Sequence, residues 1–454
     1  MAPAAQRRRS EMAETNNPHT GEVTAPPAIV EETAADQVTL DPELTAVLPD
    51  AGVSEYVTAW FKRVRSGQSG VLPVVGGLIV IIIIFQIERS RFLSALNLVN
   101  LLQQSAAFIV LGMAEIFVLL LGEIDLSLGY SGAVGAAVMT ILAYPPINLG
   151  WGPAILAGLA ASAAIGFAQG QIISRLRLPP FVVTLAGLLF WEGFLIFLIN
   201  NQSPSNGGSI RINNATIYDI VNGNVSVTAS WIVLAVALLL FAAASVTRDR
   251  RRRAGGLVAP PLSLTVAKIA AVAAGGIALV AICGANRAVF VGTTVKGVPW
   301  VVPIVIAIVV LWTFVLNRTR FGRYVYAIGG NREAARRAGI NVHRVRVLAY
   351  TLAGLTAAAA IIILDSRTGG ANTDIDGGQT VLYGVAAAVI GGTSLLGGRG
   401  KMVHALLGGL VIATIYNGMG LLSLAADIQY MITALVLLAA VIVDAVSRRG
   451  QNAS

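Results

Sequence analysis

The chain has 454 residues, of which 56% are hydrophobic and 12% are charged. A soluble domain carries roughly 25% charged residues, so this composition excludes a large soluble domain and favours a membrane protein. The formal net charge of +9 does not indicate a nucleic-acid partner, because the Lys and Arg residues fall in short segments between apolar stretches. A single cysteine, Cys283, excludes a disulfide framework and a four-cysteine metal site.

The first 70 residues precede the first apolar stretch. Residues 1–52 are rich in acidic residues and proline and are predicted to be a disordered cytoplasmic tail. In residues 53–70, apolar side chains recur at helical spacing beside Lys62, Arg63 and Arg65, which favours an amphipathic helix on the inner membrane surface. A short solvated helix is the alternative interpretation.

Residues 71–446 are predicted to form a transmembrane permease domain of about twelve helices. A bilayer core needs roughly 20 apolar residues in a helix, and several segments here are short or rich in Gly and Pro. Broken helices are tolerated only where protein or a water-filled cavity covers the backbone. The regions 122–132 and 384–400 are the best candidates for such breaks, so the expected fold is an all-α polytopic transmembrane bundle with some broken or re-entrant helices. The predicted spans are 71–87, 98–121, 127–143, 151–173, 181–199, 229–246, 264–283, 299–316, 347–364, 380–395, 402–421 and 428–446.

The distribution of Lys and Arg predicts the orientation of this bundle. With the N-terminus inside and twelve spans in alternation, 25 of the 32 Lys and Arg residues lie on the inner side and six on the outer side. Lys268 is borderline, and Arg89 and Arg91 fit the model least well. The chain is therefore expected to be a multi-pass protein of the plasma membrane with both termini cytoplasmic, including a C-terminal tail at 447–454.

The inner loop at 319–346 contains a set of consistent helix signals. Asn331 suits a helix N-cap, Glu333 lies in the first turn, where the helix dipole favours an acid, and Gly339 suits the left-handed position after the last turn. These residues predict a helix of about two turns, which is marginal alone in water. Two interpretations are equally open: a partner protein holds the helix, or it lies on the membrane surface.

Polar side chains inside the predicted spans are costly in lipid and are usually functional. Asp125 has a second interpretation, because it can cap a helix that begins near Leu126. Gln169 and Gln429 are further polar residues within spans. The candidates for a translocation pathway are Gln103, Gln104, Glu115, Asp125, Ser127, Glu192 and Asn417.

The sequence contains no recognisable catalytic motif. Gly400-Lys401 does not belong to a phosphate-binding loop, because Leu395 stands at the required glycine position and Met402 follows the lysine. The three histidines are scattered, so no metal-spaced pair is formed. The chain is not expected to be an enzyme, to hydrolyse ATP itself or to hold a metal.

Four motifs in this sequence resemble those of the ribose- and xylose-type permeases of ATP-binding cassette (ABC) importers. They are GEIDLSLG at 122–129, LPPFVVTLAG at 178–187, RFGRYVYAIGGNREAARRAGI at 320–340 and GGTSLLGGRG at 391–400. The resemblance implies a permease dimer in the lipid membrane that moves a monosaccharide, xylose or ribose-like. It also implies separate nucleotide-binding subunits inside, which use ATP and Mg²⁺, and a sugar-binding protein outside, with no cofactor bound by this chain.

The same resemblance implies roles for particular residues. The short helix at 331–339 matches the coupling helix, which fits a groove in the ATPase. Its matching positions are Asn331, Glu333, Ala334, Ala335, Ala338 and Gly339. Family members typically have about ten spans, so 229–246 and 264–283 form an extra pair, as in the larger xylose-type members. No aromatic cluster stands out along the sequence as a platform for a sugar ring.

Alternatives remain at two points. Residues 122–129 and 391–398 resemble each other, which predicts two related halves with the pathway at their interface; chance similarity in a chain with 48 glycines is the alternative. For the function, an ion-coupled secondary transporter could use Glu115, Asp125 and Glu192 as titrating acids. An ABC permease for branched-chain amino acids is the third possibility.

Overall fold

A computed structural model of the chain describes residues 72–203, 207–255, 259–290 and 292–452. The predicted tail at 1–52 and the predicted amphipathic helix at 53–70 lie outside these residues.

The first helices and strands are α1 (Leu72–Glu88), α2 (Ala95–Leu119), α3 (Leu128–Ala143), α4 (Trp151–Leu176), α5 (Pro180–Gln202), β1 (Ser209–Arg211), α6 (Ala215–Asn222), β2 (Asn224–Val225), α7 (Val227–Ala254) and α8 (Leu262–Gly284). They are followed by β3 (Val298–Pro299), α9 (Val301–Arg318), α10 (Arg320–Gly330), α11 (Arg332–Arg337), α12 (Val342–Thr368), β4 (Gly370–Asn372), α13 (Gly377–Ile390), α14 (Met402–Leu421) and α15 (Ala426–Asn452).

Each of the twelve predicted spans corresponds to one helix of the described chain. Eight of these helices are long and apolar enough to cross a membrane: α2, α4, α5, α7, α8, α9, α12 and α14. Shorter apolar stretches occur in α1, α3, α13 and the first part of α15. The expected helical membrane bundle is thereby confirmed, and α3 and α13 border the two regions in which broken helices were predicted.

Several boundaries differ from the predicted ones. Helix α13 ends at Ile390 rather than 395, because Gly392 takes the left-handed conformation with φ +110°. Helix α15 continues to Asn452, so most of the predicted tail at 447–454 is helical. Helix α3 begins at Leu128 rather than near 126. Helix α10 was not predicted; Thr319 caps it, with its hydroxyl oxygen accepting from the backbone N–H of Gly322.

Close helix packing through small residues forms the core. The apolar stretch of α2 is 83% buried, the highest share among the eight long apolar helices. Helices α4 and α12 approach so closely that a Cβ on Gly166 would overlap the carbonyl oxygen of Tyr350, and one on Gly354 would overlap that of Ser162. Small residues allow such backbone approach in membrane helices, where packing rather than the hydrophobic effect drives association.

The two ends of α12 define the two ends of the bundle. Beyond its C-terminus, β4 pairs with β1 in antiparallel register, with Ser209 opposite Asn372; we call this the sheet end. Before its N-terminus lie α10 and α11, together with the loops at 120–127 and 391–401; we call this the basic end, because many of the arginines of the chain lie there. A second strand pair, β2 with β3, brings the starts of α7 and α9 together.

Helices α7 and α8 correspond to 229–246 and 264–283, the two spans expected to be additional to ten. They pack on each other, and only 6% and 11% of their apolar stretches are buried in the protein. Many of the exposed side chains on these two helices are large and apolar.

Candidate functional site

The start of α11 is stabilised by its own side chains. Asn331 is the N-cap, and its Oδ1 accepts a hydrogen bond of 2.9 Å from the backbone N–H of Ala334. In the first turn, Glu333 accepts from Arg336 at 3.0 Å and from Arg337 at 3.2 Å. These two guanidinium groups lower the pKa of the Glu333 carboxyl. The local sequence therefore specifies this helix, although with six residues it is shorter than predicted.

The end of α11 is a glycine-terminated turn. Gly339 has φ +81°, and its N–H donates to the carbonyl oxygen of Arg336 at 3.0 Å. The N–H of Ile340 reaches the carbonyl oxygen of Ala335 at 3.1 Å. Only Ala335 is buried within the helix, whereas Ala338 and Gly339 are exposed. The helix thus presents an uncovered surface that contains small residues.

A buried carboxylate joins α11 to the membrane bundle. Glu123 Oε1 lies 2.5 Å from a guanidinium nitrogen of Arg332, the first residue of α11, and 2.7 Å from one of Arg346 on α12. The hydroxyl of Tyr350 donates to Glu123 Oε2 at 3.1 Å. The Glu123 side chain is 3% exposed and that of Arg346 is 11% exposed. One carboxylate therefore connects the loop after α2, the helix α11 and the helix α12.

Three of the four sequence motifs meet at the basic end. The N–H of Gly398 donates to the carbonyl oxygen of Leu120 at 2.9 Å. A Cβ on Gly329, in α10, would overlap this same carbonyl oxygen. The hydroxyl of Tyr326, also in α10, donates to the carbonyl oxygen of Gly400 at 2.7 Å. The loops at 120–127 and 391–401 thus touch each other and the α10–α11 segment.

The two loops also begin with the same backbone geometry. Gly122 has φ +74°, and its N–H donates to the carbonyl oxygen of Leu119. The N–H of Glu123 donates to the carbonyl oxygen of Val118. Gly392, with φ +110°, repeats the pattern after α13. Both loops therefore start with a Schellman motif. The same motif also ends α11 at Gly339, so this likeness does not distinguish an internal repeat from chance similarity.

The fourth motif contacts the same loop from α5. The hydroxyl of Thr184 lies 3.4 Å from the carbonyl oxygen of Ile124. Further along the loop, Asp125 Oδ1 accepts from the hydroxyl of Ser127 at 2.6 Å and from its N–H at 2.9 Å. Gln169 Nε2 donates to the hydroxyl of Ser127 at 2.9 Å. Asp125 thus holds the turn before α3, and Ser127 links that turn to α4.

Glu115 is the single acidic residue of α2. It is fully buried, and neither carboxyl oxygen has a hydrogen-bond partner in the described ranges. The acid with which it interacts is Asp125, which is also fully buried. Two of the predicted pathway residues therefore form a buried acidic pair beside the loop at 120–127.

A polar cavity of about 250 Å³ opens at the sheet end, between α2, the end of α12 and the start of α13. Gln103 and Gln104 line it. Gln103 Nε2 donates to the carbonyl oxygen of Val221 at 2.8 Å, whereas Gln104 Oε1 is buried without a partner among the described residues. Phe108, Tyr383 and Tyr416 also line this cavity, with ring centroids 5.1 to 6.0 Å apart.

The last two pathway candidates lie elsewhere. Asn417 Oδ1 accepts from Asn97 Nδ2 at 2.8 Å, in a buried pair between α14 and α2. Glu192, on α5, lies beside Tyr130 of α3. The seven predicted residues therefore occupy four places rather than one continuous surface. Among the described residues, no group of three or more His, Cys, Asp or Glu side chains could hold a metal ion.

Sequence reasoning missed three features of these sites. Glu123 and Asp365 were not singled out, because their neighbours in space are far away in sequence. The aromatic group formed by Phe108, Tyr383 and Tyr416 does not stand out along the sequence, since it is assembled from α2, α13 and α14. One feature of the sequence could have indicated Glu123: it lies two residues before Asp125 in the motif at 122–129.

Comparisons with known proteins give a consistent result. A family model described as "Branched-chain amino acid transport system / permease component" matches residues 97–441. The xylose transport system permease protein XylH of Escherichia coli (strain K12) is 32% identical over 393 residues, which cover 86% of this chain and 95% of that protein. The ribose import permease protein RbsC of Bacillus subtilis (strain 168) is 31% identical over 389 residues, covering 84% and 96%. RbsC of Escherichia coli (strain K12) is 30% identical over 371 residues, covering 81% and 91%. No solved structure matches significantly. The resemblance to ribose- and xylose-type permeases is confirmed.

Proposed function

Because the chain belongs to the family of branched-chain amino acid transport system permease components, we propose that it is the membrane-spanning subunit of an ABC importer for a monosaccharide. The relatives that match most of the chain are named as xylose and ribose permeases, which favours a xylose- or ribose-like cargo over an amino acid. The substrate crosses the plasma membrane, and both chain termini are cytoplasmic, as the distribution of Lys and Arg indicates.

The observation that carries this proposal is the construction of α11. A six-residue helix is marginal alone, yet this one is capped at both ends and tied by Arg332 to the buried Glu123. Its remaining surface is exposed and includes Ala334, Ala338 and Gly339. An anchored helix with an uncovered small-residue surface is suited to docking against another protein, which favours a partner over the alternative of a helix that lies on the membrane.

The partners follow from this assignment. Nucleotide-binding subunits dock on α11 at the basic end and hydrolyse ATP with Mg²⁺, and closure of the ATPase pair draws together the α11 helices of two permease copies. A sugar-binding protein delivers the monosaccharide at the sheet end. Force on α11 passes through Glu123 to the loop at 120–127, which contacts α12 and the loop at 391–401.

The pathway is proposed to run from the sheet-end cavity toward the basic end. Gln103 and Gln104 lie at its outer part, and Glu115, Asp125 and Ser127 lie farther along, beside the loop that Glu123 holds. Glu192 and Asn417 have buried or half-buried neighbours of their own. Glu192 and Asn417 are therefore proposed to affect the pathway indirectly, by fixing the positions of the helices that carry them.

The test is uptake of radiolabelled xylose and ribose by cells that contain the complete importer. We expect uptake to stop when ATP is depleted and to survive collapse of the proton gradient. Ala338→Trp should abolish uptake with normal protein levels in the membrane, because the bulky ring blocks docking on α11. Ala237→Trp, on the exposed surface of α7, is the matched control. Normal uptake by Ala338→Trp contradicts the docking role.

One observation favours a second candidate, an ion-coupled transporter. The buried pair of Glu115 and Asp125 could take up a proton during transport. In that case uptake stops when the proton gradient collapses and continues without ATP, and Glu115→Gln removes the dependence on pH. The family match and the exposed α11 both favour the ATP-driven importer.

A further inference from the structure

We propose that the sheet-end cavity is a binding site for a single monosaccharide, in which Asp365 and Gln104 bind sugar hydroxyls and Phe108, Tyr383 and Tyr416 form an apolar wall. This inference rests on the proposed function and names the residues that recognise the sugar inside the membrane subunit. It adds Asp365 and the three aromatic residues to a cavity that contains two of the seven pathway candidates from the sequence, Gln103 and Gln104.

The volume of the cavity suits one sugar ring. Pockets for drug-sized ligands measure roughly 300–1,000 Å³. At about 250 Å³, this cavity is slightly smaller and accommodates a pentose or hexose but not an oligosaccharide. It lies between the middle of α2, the end of α12 and the start of α13. Sites between helices of a bundle are common places for small ligands.

Two polar groups in the cavity lack partners. Asp365 is 4% exposed, lines the cavity, and its carboxyl group makes no hydrogen bond or ion pair within the described ranges. Gln104 Oε1 is buried and also has no partner there. Buried polar groups are nearly always hydrogen-bonded, and an unpartnered one costs free energy until something binds it. Two such acceptors that face one cavity are suited to two hydroxyl donors.

The remaining lining carries charges of both signs, because Asp374 and Asp376 also line the cavity. Arg367 lines the cavity, and its Nη2 donates to Asn100 Oδ1 at 3.0 Å. Gln379 and Thr380 add uncharged groups that both donate and accept. Three carboxylates against one guanidinium make the lining acidic, which suits the hydroxyl donors of a sugar. The aromatic wall supplies flat apolar surface for the C–H face of a sugar ring, the mixture of apolar area and few polar groups that small-molecule sites show.

Binding of radiolabelled xylose and ribose to the full-length chain in lipid nanodiscs tests the site without any partner subunit. We expect Asp365→Asn to weaken binding about ten- to a hundredfold, the effect of losing a charged hydrogen-bond partner. Tyr416→Leu, which changes a half-exposed side chain and should fold normally, should weaken binding of the same sugar about tenfold. Asp427→Asn, at the exposed start of α15, is the matched control and should bind like the unmodified chain.

Three outcomes overturn the proposal. In the first, the unmodified chain binds neither sugar. In the second, Asp365→Asn and Tyr416→Leu bind sugar as tightly as the unmodified chain does. In the third, the site binds sodium or protons instead of sugar. ATP-dependent uptake by the complete importer separates the two claims. If uptake is normal in Asp365→Asn and Tyr416→Leu, the cavity site is wrong while the importer stands. If the unmodified importer shows no ATP-dependent uptake, the proposed function itself is wrong.

Discussion

Glu123 and Arg332 form an ion pair of 2.5 Å between residues 209 positions apart in the chain. Glu123 belongs to the loop that follows the most buried long helix, and Arg332 begins the exposed helix α11. Arg346 shares the same carboxylate oxygen at 2.7 Å. A displacement of α11 therefore acts directly on a charged group inside the bundle. This relationship leads to the first prediction.

Replacement of Glu123 by Gln should destabilise the protein and abolish uptake. It leaves Arg346, which is 11% exposed, without its charged partner. Breaking a buried ion pair costs about 3–5 kcal/mol, so we expect a clearly lower unfolding temperature of the purified chain in detergent. Arg332 is 48% exposed, so Arg332→Gln should cost under about 1 kcal/mol yet still reduce uptake.

Glu333→Gln provides the control for Glu123→Gln. Glu333 also accepts from two arginines, but all three side chains are more than half exposed. The unfolding temperature of Glu333→Gln should therefore match that of the unmodified chain. If Glu123→Gln melts at the same temperature as Glu333→Gln, Glu123 does not hold the basic end together.

Replacement of Asn331 by Ala should loosen α11 without affecting the bundle. The substitution removes the oxygen that accepts from the N–H of Ala334, and loss of such a cap costs about 1 kcal/mol of helix stability. We expect faster amide hydrogen exchange in residues 332–338 and reduced uptake at an unchanged unfolding temperature. Asn331→Asp keeps a capping oxygen and should restore slow exchange. Unchanged exchange in Asn331→Ala would contradict the cap.

Two glycines in helices of similar length should respond oppositely to alanine. At Gly166 a Cβ would overlap the carbonyl oxygen of Tyr350, so Gly166→Ala should cost about 1–3 kcal/mol through overpacking between α4 and α12. At Gly193 no heavy atom lies within 4 Å of such a Cβ, so Gly193→Ala should gain up to about 1 kcal/mol. Thermal unfolding in detergent compares the two. Equal unfolding temperatures would mean that α4 and α12 are not in close contact.

The pair of Asn97 and Asn417 should behave as a structural unit. Asn417→Leu leaves Asn97 partly unsatisfied in a buried position, at a cost of about 1–3 kcal/mol. The double substitution Asn97→Leu with Asn417→Leu should recover part of that loss, since both polar groups are then removed. Neither variant should change the preference between xylose and ribose in uptake competition. A changed preference would place Asn417 in contact with the sugar instead.

The sequence by itself was sufficient for features that depend on near neighbours. Apolar stretches of membrane length gave the helices, and Asn331 and Gly339 located the ends of α11, because a cap bonds groups within four residues of itself. The sequence did not indicate α10, because only its N-cap, Thr319, separates it from the end of α9.

The tertiary structure alone decided which distant polar groups meet. Helices in lipid are brought together by small residues, such as Gly166 against Tyr350, and this packing has no period that could be followed along the chain. Only that packing places Glu123 against Arg332, and Asp365 beside Gln104 in one cavity. A lone carboxylate in a sequence does not indicate its partner, because the partner depends on how whole helices approach. Composition and local signals therefore determined the class of protein, and helix packing determined its sites.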